Sequence, residues 1–265
     1  MKKFAIFGNP ISHSKSPQMH NSGFDFLNID AKYFKILLED GKNLRDAFVR
    51  YGLSGANITV PHKESAFLQA DEVIGIAQKI KAVNTYVLQN QKIIAYNTDA
   101  PGFLKAIESF GKLDRVLILG AGGTARAIAC ALFDDGKKVC VTNRSVQKLA
   151  FFQELGCEIC SYDELENKEF DLVVNTTSAG LKDEELPAPK SLLENLLQKS
   201  KFAFDCVYGK MTPFLKLAQN CGVTFKDGED MLLFQGVLAF EVFCDTKATP
   251  ELIEAMREGL KQTSN

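Results

Sequence analysis

"RVLILGAGGTARA", residues 115 to 127, decides the fold. An apolar run of strand length, Val116 to Leu119, meets Gly120, Ala121, Gly122, Gly123 and Thr124, and the helical stretch "TARAIACALFDD" (124 to 135) follows at once. Gly120, Gly122 and Ala125 form G-x-G-x-x-A between strand and helix. In that setting the first glycine permits the tight turn, the second lets backbone approach a pyrophosphate, and the small third residue packs helix on strand. The plain alternative is a glycine-rich turn without a ligand. The context favours a Rossmann-type dinucleotide-binding unit.

The following strand supports this and selects the nucleotide. "KVCVTN" (138 to 143) ends where an NAD-binding protein would carry an acid for the ribose 2′-hydroxyl. Asn143, Arg144 and Ser145 stand there, with Lys148 one turn on. Two cations and two small polar groups suit a 2′-phosphate, because a guanidinium can hold phosphate by paired hydrogen bonds and lie flat on adenine. NADP is the expected cofactor.

Outward from this loop, short apolar runs alternate with helix-like segments, the pattern of an α/β protein with largely parallel sheets. "DLVVNT" (171 to 176) and "FAFDCV" (202 to 207) continue the buried strands of the nucleotide unit. Before it lie "FAIF" (4 to 7), "KYFKILL" (32 to 38), "ANITV" (56 to 60) and "TYVLQNQKIIAY" (85 to 96), the last reading as two strands joined near Asn90. After it, "EDMLLFQGVLAFEVFC" and "TPELIEAMREGL" have helical period, with Pro250 near the start of the second. The expected division is residues 1–99 with 228–265 as a substrate domain and 100–227 as the nucleotide domain.

Composition narrows the partners. A chain of 265 residues, 46% hydrophobic and 24% charged, can build a real core, and a net charge of -2 gives no basic field for a nucleic acid. The opening "MKKFAIFGNP" is too short and too broken for a signal peptide, and no apolar run reaches membrane-spanning length. A cytoplasmic protein acting on a small molecule is expected, without nucleic acid or membrane, as a monomer or homodimer. Seven cysteines sit mostly in apolar strings, where a reduced thiol behaves as a small hydrophobe. Cys157 and Cys160 form a C-x-x-C without a second pair at zinc spacing, and the three histidines make no ligand set, so no metal is expected.

Polar residues interrupt the apolar pattern of the first half. Ser16 before Pro17 reads as a helix cap. With Ser14 and the exposed N–H groups of a helix start, it equally reads as an anion site. In "ANITVPHK" the strand period puts Ile58 and Val60 on one face and Asn57 and Thr59 on the other, with Lys63 beyond Pro61. Asn and Thr in line on a buried strand need partners, from backbone or from a polyhydroxylated ligand. "AVNT" and "YNTD" add Asn84 and Asp99, the latter also readable as the cap of the helix "APGFLKAI".

Taken in order, "NPISHSKSP", "GANITVPHK", "AVNT", "YNTD", "LILGAGGTARA", "TNRS" and "FDCVYGKMTPFL" resemble the shikimate dehydrogenase family of aromatic amino acid biosynthesis over nearly the whole chain. The resemblance implies NADPH-dependent reduction of 3-dehydroshikimate to shikimate. It implies Ser14 and Ser16 at the substrate carboxylate with help from Tyr208. Asn57, Thr59, Asn84 and Gln235 are implied at ring hydroxyls, and Lys63 and Asp99 as the catalytic pair. Cys206 and Gly228 are implied beside the cofactor. The sequence departs from some members at Gly75, where they carry a glutamate, and at Cys206, where they carry Met. A dehydrogenase accepting quinate as well, or a non-catalytic metabolite sensor of the same fold, are the competing readings; the sensor has no need of the pair Lys63 and Asp99.

Overall fold

The strand Lys2–Gly8 (β1) sends Phe4 and Ile6 into one apolar cluster and Ala5 and Phe7 into another, so it is covered on both faces. In the computed structural model, which describes residues 1–262, it lies inside a six-stranded sheet. The other strands are β2 (Ala31–Leu37), β3 (Gly55–Ile58), β4 (Glu72–Val73), β5 (Thr85–Gln89) and β6 (Lys92–Tyr96), in the order β2-β1-β3-β5-β6-β4. The pairs β1/β2, β1/β3 and β4/β6 are parallel, while β5 runs antiparallel to both neighbours. Asn90 and Gln91 join β5 to β6 with φ of 49° and 64°, the left-handed pair of a two-residue hairpin.

Helices cover both faces of this sheet. Phe4 and Ile6 pack with residues of α1 (Ser16–Phe26), α11 (Glu229–Cys244) and α12 (Pro250–Lys261), among them Met19, Phe240 and Met256. Ala5 and Phe7 pack with residues of α2 (Leu44–Arg50), α3 (Lys63–Gln69) and α4 (Ile76–Ile80). Thr249 caps α12 by accepting from Leu252 N, with Pro250 in the first turn, as the sequence leads one to expect.

The second sheet is wholly parallel and has the order β9-β8-β7-β10-β11-β12. Its strands are β7 (Arg115–Leu119), β8 (Lys138–Thr142), β9 (Glu158–Ile159), β10 (Leu172–Asn175), β11 (Phe202–Asp205) and β12 (Thr224–Lys226). This is the doubly wound order in which the direction of winding reverses between β7 and β10. Helices α5 (Asp99–Ile107), α6 (Gly123–Asp134), α7 (Ala150–Leu155), α8 (Tyr162–Leu165), α9 (Lys190–Gln198) and α10 (Pro213–Asn220) complete the chain.

The chain divides into Met1–Gly102 with the segment from Leu232 onward, and Phe103–Met231. Both crossings fall inside helices, α5 and α11, a few residues beyond the positions 99/100 and 227/228 at which motif content suggested a boundary. A continuous helix carries no composition shift that marks such a division. No helix among the described residues is long and apolar enough to cross a membrane.

One local expectation is corrected, and one strand was not expected. The strand around Asn57 ends at Ile58, so Thr59 lies just past it and Val60 is 60% exposed rather than sharing the buried face of Ile58. Pro61 has no N–H with which to continue the ladder. The two-residue β4 has no legible alternation, since two residues carry no period.

Candidate active site

Lys63 opens α3, and its own neighbourhood reads as a solvated helix start. It is instead 8% exposed, with Nζ 2.6 Å from Asp99 Oδ2. The other carboxylate oxygen accepts from Asn84 Nδ2 at 3.0 Å. Asn84 cannot be turned round, because Thr98 N donates to its Oδ1 at 2.8 Å while Nδ2 faces the acceptor-only carboxylate. Asn84 Nδ2 also reaches Thr98 Oγ1 at 2.9 Å and Gln235 Oε1 at 3.4 Å. Asp99 is therefore gripped at both oxygens before any ligand arrives.

Asp99 is the first residue of α5, not its cap. Asn97 Oδ1 takes that place, accepting from the N–H of Asp99 at 3.1 Å and of Ala100 at 3.3 Å. An amide cap leaves the carboxylate for Lys63.

Asn57 is held the same way. Its Nδ2 donates to Asn84 O at 3.2 Å and Thr85 Oγ1 at 3.0 Å, and its Oδ1 accepts from Tyr33 Oη at 2.7 Å. Both amide hydrogens are spent, so Asn57 has only an acceptor position left to offer. Behind it His20 is fully buried and stacks on the Tyr33 ring, centroids 4.4 Å apart at 4°. Neither ring nitrogen of His20 makes a well-formed hydrogen bond. Burial drives its pKa down to about 3, opposed only by the nearby Asn57 side chain.

Ser14 and Ser16 form a separate group at the start of α1. Ser16 is the first helical residue and Lys15 occupies the cap position, so the capping role expected of Ser16 is not realised. Ser14 Oγ instead accepts from Ser16 N at 3.3 Å and donates to Ser16 Oγ at 3.2 Å. The Ser16 hydroxyl hydrogen is the one not used inside the pair, which suits an anion. Gln235, on α11, donates Nε2 to Leu232 O at 2.8 Å and keeps one amide hydrogen. Thr59 packs against Gly8 beyond the end of β3.

In the second unit the glycine loop lies at the carboxyl end of β7, beside the winding reversal. Gly120 has φ of 113°, and a Cβ there would lie 2.6 Å from Thr176 Oγ1. Gly122 stands at the cap of α6 with open space before its Cα, and Gly123, Thr124 and the buried Ala125 follow in the first turn. The leading N–H groups of a helix have no intrahelical partner, and the positive end of its dipole favours phosphate. This cradle fits a dinucleotide. Asn143, Arg144, Ser145 and Lys148 follow β8, with Arg144 and Lys148 exposed and Asn143 Nδ2 bonded to Ser145 O at 3.0 Å. Cys206 and Tyr208 follow β11, and a Cβ on Gly228 would lie 2.4 Å from Cys206 O, so only glycine permits this approach.

One further cluster is Cys140, Glu158 and Cys160, with the two Sγ atoms 3.2 Å apart. Cys160 thus faces Cys140 across the sheet rather than Cys157. The Lys168 ammonium is bonded to Glu158 and touches Cys160. The carboxylate of the cluster already has a cationic partner in Lys168.

Known proteins resemble this chain over nearly its full length. Residues 6–86 match the family described as "Shikimate dehydrogenase substrate binding domain", and residues 105–205 match "Shikimate / quinate 5-dehydrogenase". A shikimate dehydrogenase (NADP(+)) of Helicobacter hepaticus is 47% identical over 96% of this chain and 95% of its own. One from Helicobacter pylori is 45% identical over 97% of this chain and 98% of its own. The shikimate 5-dehydrogenase of Thermus thermophilus, solved in complex with NADP(H) and shikimate, superposes with a TM-score of 0.84 at 34% identity, covering 98% of this chain and all (100%) of that one. Matched over nearly its full length by proteins of one activity, this chain belongs to the shikimate dehydrogenase family.

Proposed function

We propose that this chain interconverts 3-dehydroshikimate and shikimate with NADP(H), the unit containing Lys63 and Asp99 taking the substrate and the unit containing the glycine loop taking the nucleotide. When bound, NADPH supplies the hydride. Negative charge then develops on the former ketone oxygen, and Lys63 donates to that oxygen. Asp99 holds the ammonium in position, and Asn84 holds Asp99. Asn57 accepts from a ring hydroxyl, and Thr59, Asn84 and Gln235 contact the hydroxyls that remain. Ser14 and Ser16 hold the carboxylate. Gly120, Ala121, Gly122, Gly123 and Thr124 would bind the pyrophosphate, and Asn143, Arg144, Ser145 and Lys148 the 2′-phosphate, with Cys206 and Gly228 at the nicotinamide end. The protein acts in the cytoplasm, where its seven free cysteines stay reduced, as a monomer or homodimer.

The observation that carries this reading is the buried Lys63–Asp99 pair, locked from behind by Asn84. The test is NADP+ reduction by the purified protein with shikimate, with quinate and with neither. Shikimate-dependent turnover, much weaker with NAD+, is expected. Equal turnover of quinate would widen the specificity, and no turnover of shikimate would overturn the proposal.

A further inference from the structure

We propose that Tyr33 is a positioning residue for substrate binding, its hydroxyl fixing the Asn57 side chain so that Asn57 meets the ligand as an acceptor only. This rests on the reading of Asn57 as a substrate-binding residue.

The argument begins with how firmly Tyr33 is itself held. It lies on β2, the edge strand of its sheet. Asn21 of α1 takes up its backbone, accepting from Tyr33 N at 2.9 Å and donating to Tyr33 O at 3.1 Å. The preceding residue, His20, covers one face of the ring. Backbone and ring are thereby fixed by two successive residues of α1, and the hydroxyl is delivered to Asn57 Oδ1. Burial raises the phenol pKa well above its ordinary value, so the group remains an O–H donor.

The orientation of Asn57 follows from its partners. Asn84 O is a backbone carbonyl and only accepts, so the amide nitrogen must face it and the oxygen must face Tyr33. The Tyr33 hydroxyl fills one lone pair of Oδ1, and with both amide hydrogens spent what Asn57 keeps is acceptor capacity, beside the neutral His20 ring. Without that hydroxyl the oxygen loses the contact opposite its two nitrogen bonds, and the amide is held at its nitrogen alone, so its oxygen is placed less firmly. A buried tyrosine satisfying only its own hydroxyl would give the same hydrogen bond but no effect that passes through Asn57.

A double-mutant cycle separates the two, with Tyr33→Phe keeping the ring and its stacking. Tyr33→Phe is expected to raise the KM for shikimate about 10-fold, with kcat changed less than about 3-fold and the KM for NADP unchanged. In an Asn57→Ala background the same substitution is expected to change the KM for shikimate less than about 2-fold. Thermal melts establish folding of all four proteins. An equal KM effect in both backgrounds overturns the proposal. So does an unchanged KM in Tyr33→Phe when Asn57→Ala raises it. If Asn57→Ala itself leaves the KM for shikimate unaltered, the substrate reading of Asn57 fails and the positioning role falls with it.

Discussion

Asn84 and Gly122 both stand just outside a strand end in the regions that carry the proposed chemistry, and they are opposites. Asn84 is buried, and its amide is bonded to Thr85, Thr98, Asp99 and Gln235. Gly122 has no side chain and open space before it. The first unit builds its site from side chains locked to one another, while the second builds from backbone amides and exposed cations. In a closed network every deletion orphans a buried partner, so function and stability suffer together. At an open loop a deletion removes only what the ligand feels.

Lys63→Ala provides the largest test of that contrast. Loss of the acid–base group is expected to lower kcat by about 10² to 10⁴ with a much smaller change in the KM for shikimate. Asp99 is left buried without its cation, and breaking a buried pair costs about 3 to 5 kcal/mol, so the melting temperature falls as well. The bond from Asn84 remains, which puts the expected cost at the lower end. A variant that kept full kcat would remove Lys63 from the chemistry. One that lost kcat with an unchanged melting temperature would show that the network is not closed.

Arg144→Ala is the matching test in the second unit. A charge-assisted hydrogen bond contributes about 1.5 to 3 kcal/mol, which predicts a loss of roughly 10- to 100-fold in kcat/KM for NADP. Activity with NAD should scarcely move, since NAD lacks the 2′-phosphate. Because Arg144 is exposed, the melting temperature should not change. Equal losses with both nucleotides, or a marked loss of stability, would assign Arg144 to the fold of the loop instead of the phosphate.

The same contrast governs what could be read without coordinates. The glycine loop is contiguous, and its chemistry lies in backbone and spacing, so Gly120, Gly122 and Ala125 were legible in one glance at 115 to 127. Lys63 and Asp99 are legible from their own neighbourhoods as separate candidates and as a pair only through the family resemblance, because 36 residues separate them and only the meeting of α3 with α5 joins them. Thr85, Asn97 and Thr98 stood inside "AVNT" and "YNTD" without being singled out; short polar residues in a buried stretch were the available signal. Tyr33 carried none, since an aromatic on an apolar strand is what a core requires. Of the two readings of Ser16 the cap fails, because Ser14, two residues earlier, offers the same oxygen, and helix ends shift by one or two residues without changing their composition.

The smallest expected effect sets the two units against each other by sign. His20, in the first unit, has a folded pKa of about 3, below its ordinary 6.5. The folded state therefore binds fewer protons than the unfolded chain between these values. Its contribution to stability is complete above pH 6.5 and is lost as the pH falls toward 3. Asp205, in the second unit, is shifted the other way, from 3.8 up to about 6, because burial outweighs its bonds to Thr212, Val207 N and Asn175. Its contribution is complete below pH 3.8 and is lost as the pH rises through 6. Between pH 7 and pH 5.5 each is worth about 1 kcal/mol, with opposite signs, so in the intact protein they nearly cancel. Replacing either one should unmask the other. Asp205→Asn keeps the shape and the acceptor for Val207 N, and its stability in urea should fall by about 1 kcal/mol on going from pH 7 to pH 5.5. His20→Phe keeps an aromatic ring against Tyr33, and its stability should rise over the same interval. Comparing the two pH values within each variant cancels whatever the substitution itself costs. If both variants keep the slope of the unmodified protein, neither group titrates as its burial dictates, and the difference in sign between the units disappears.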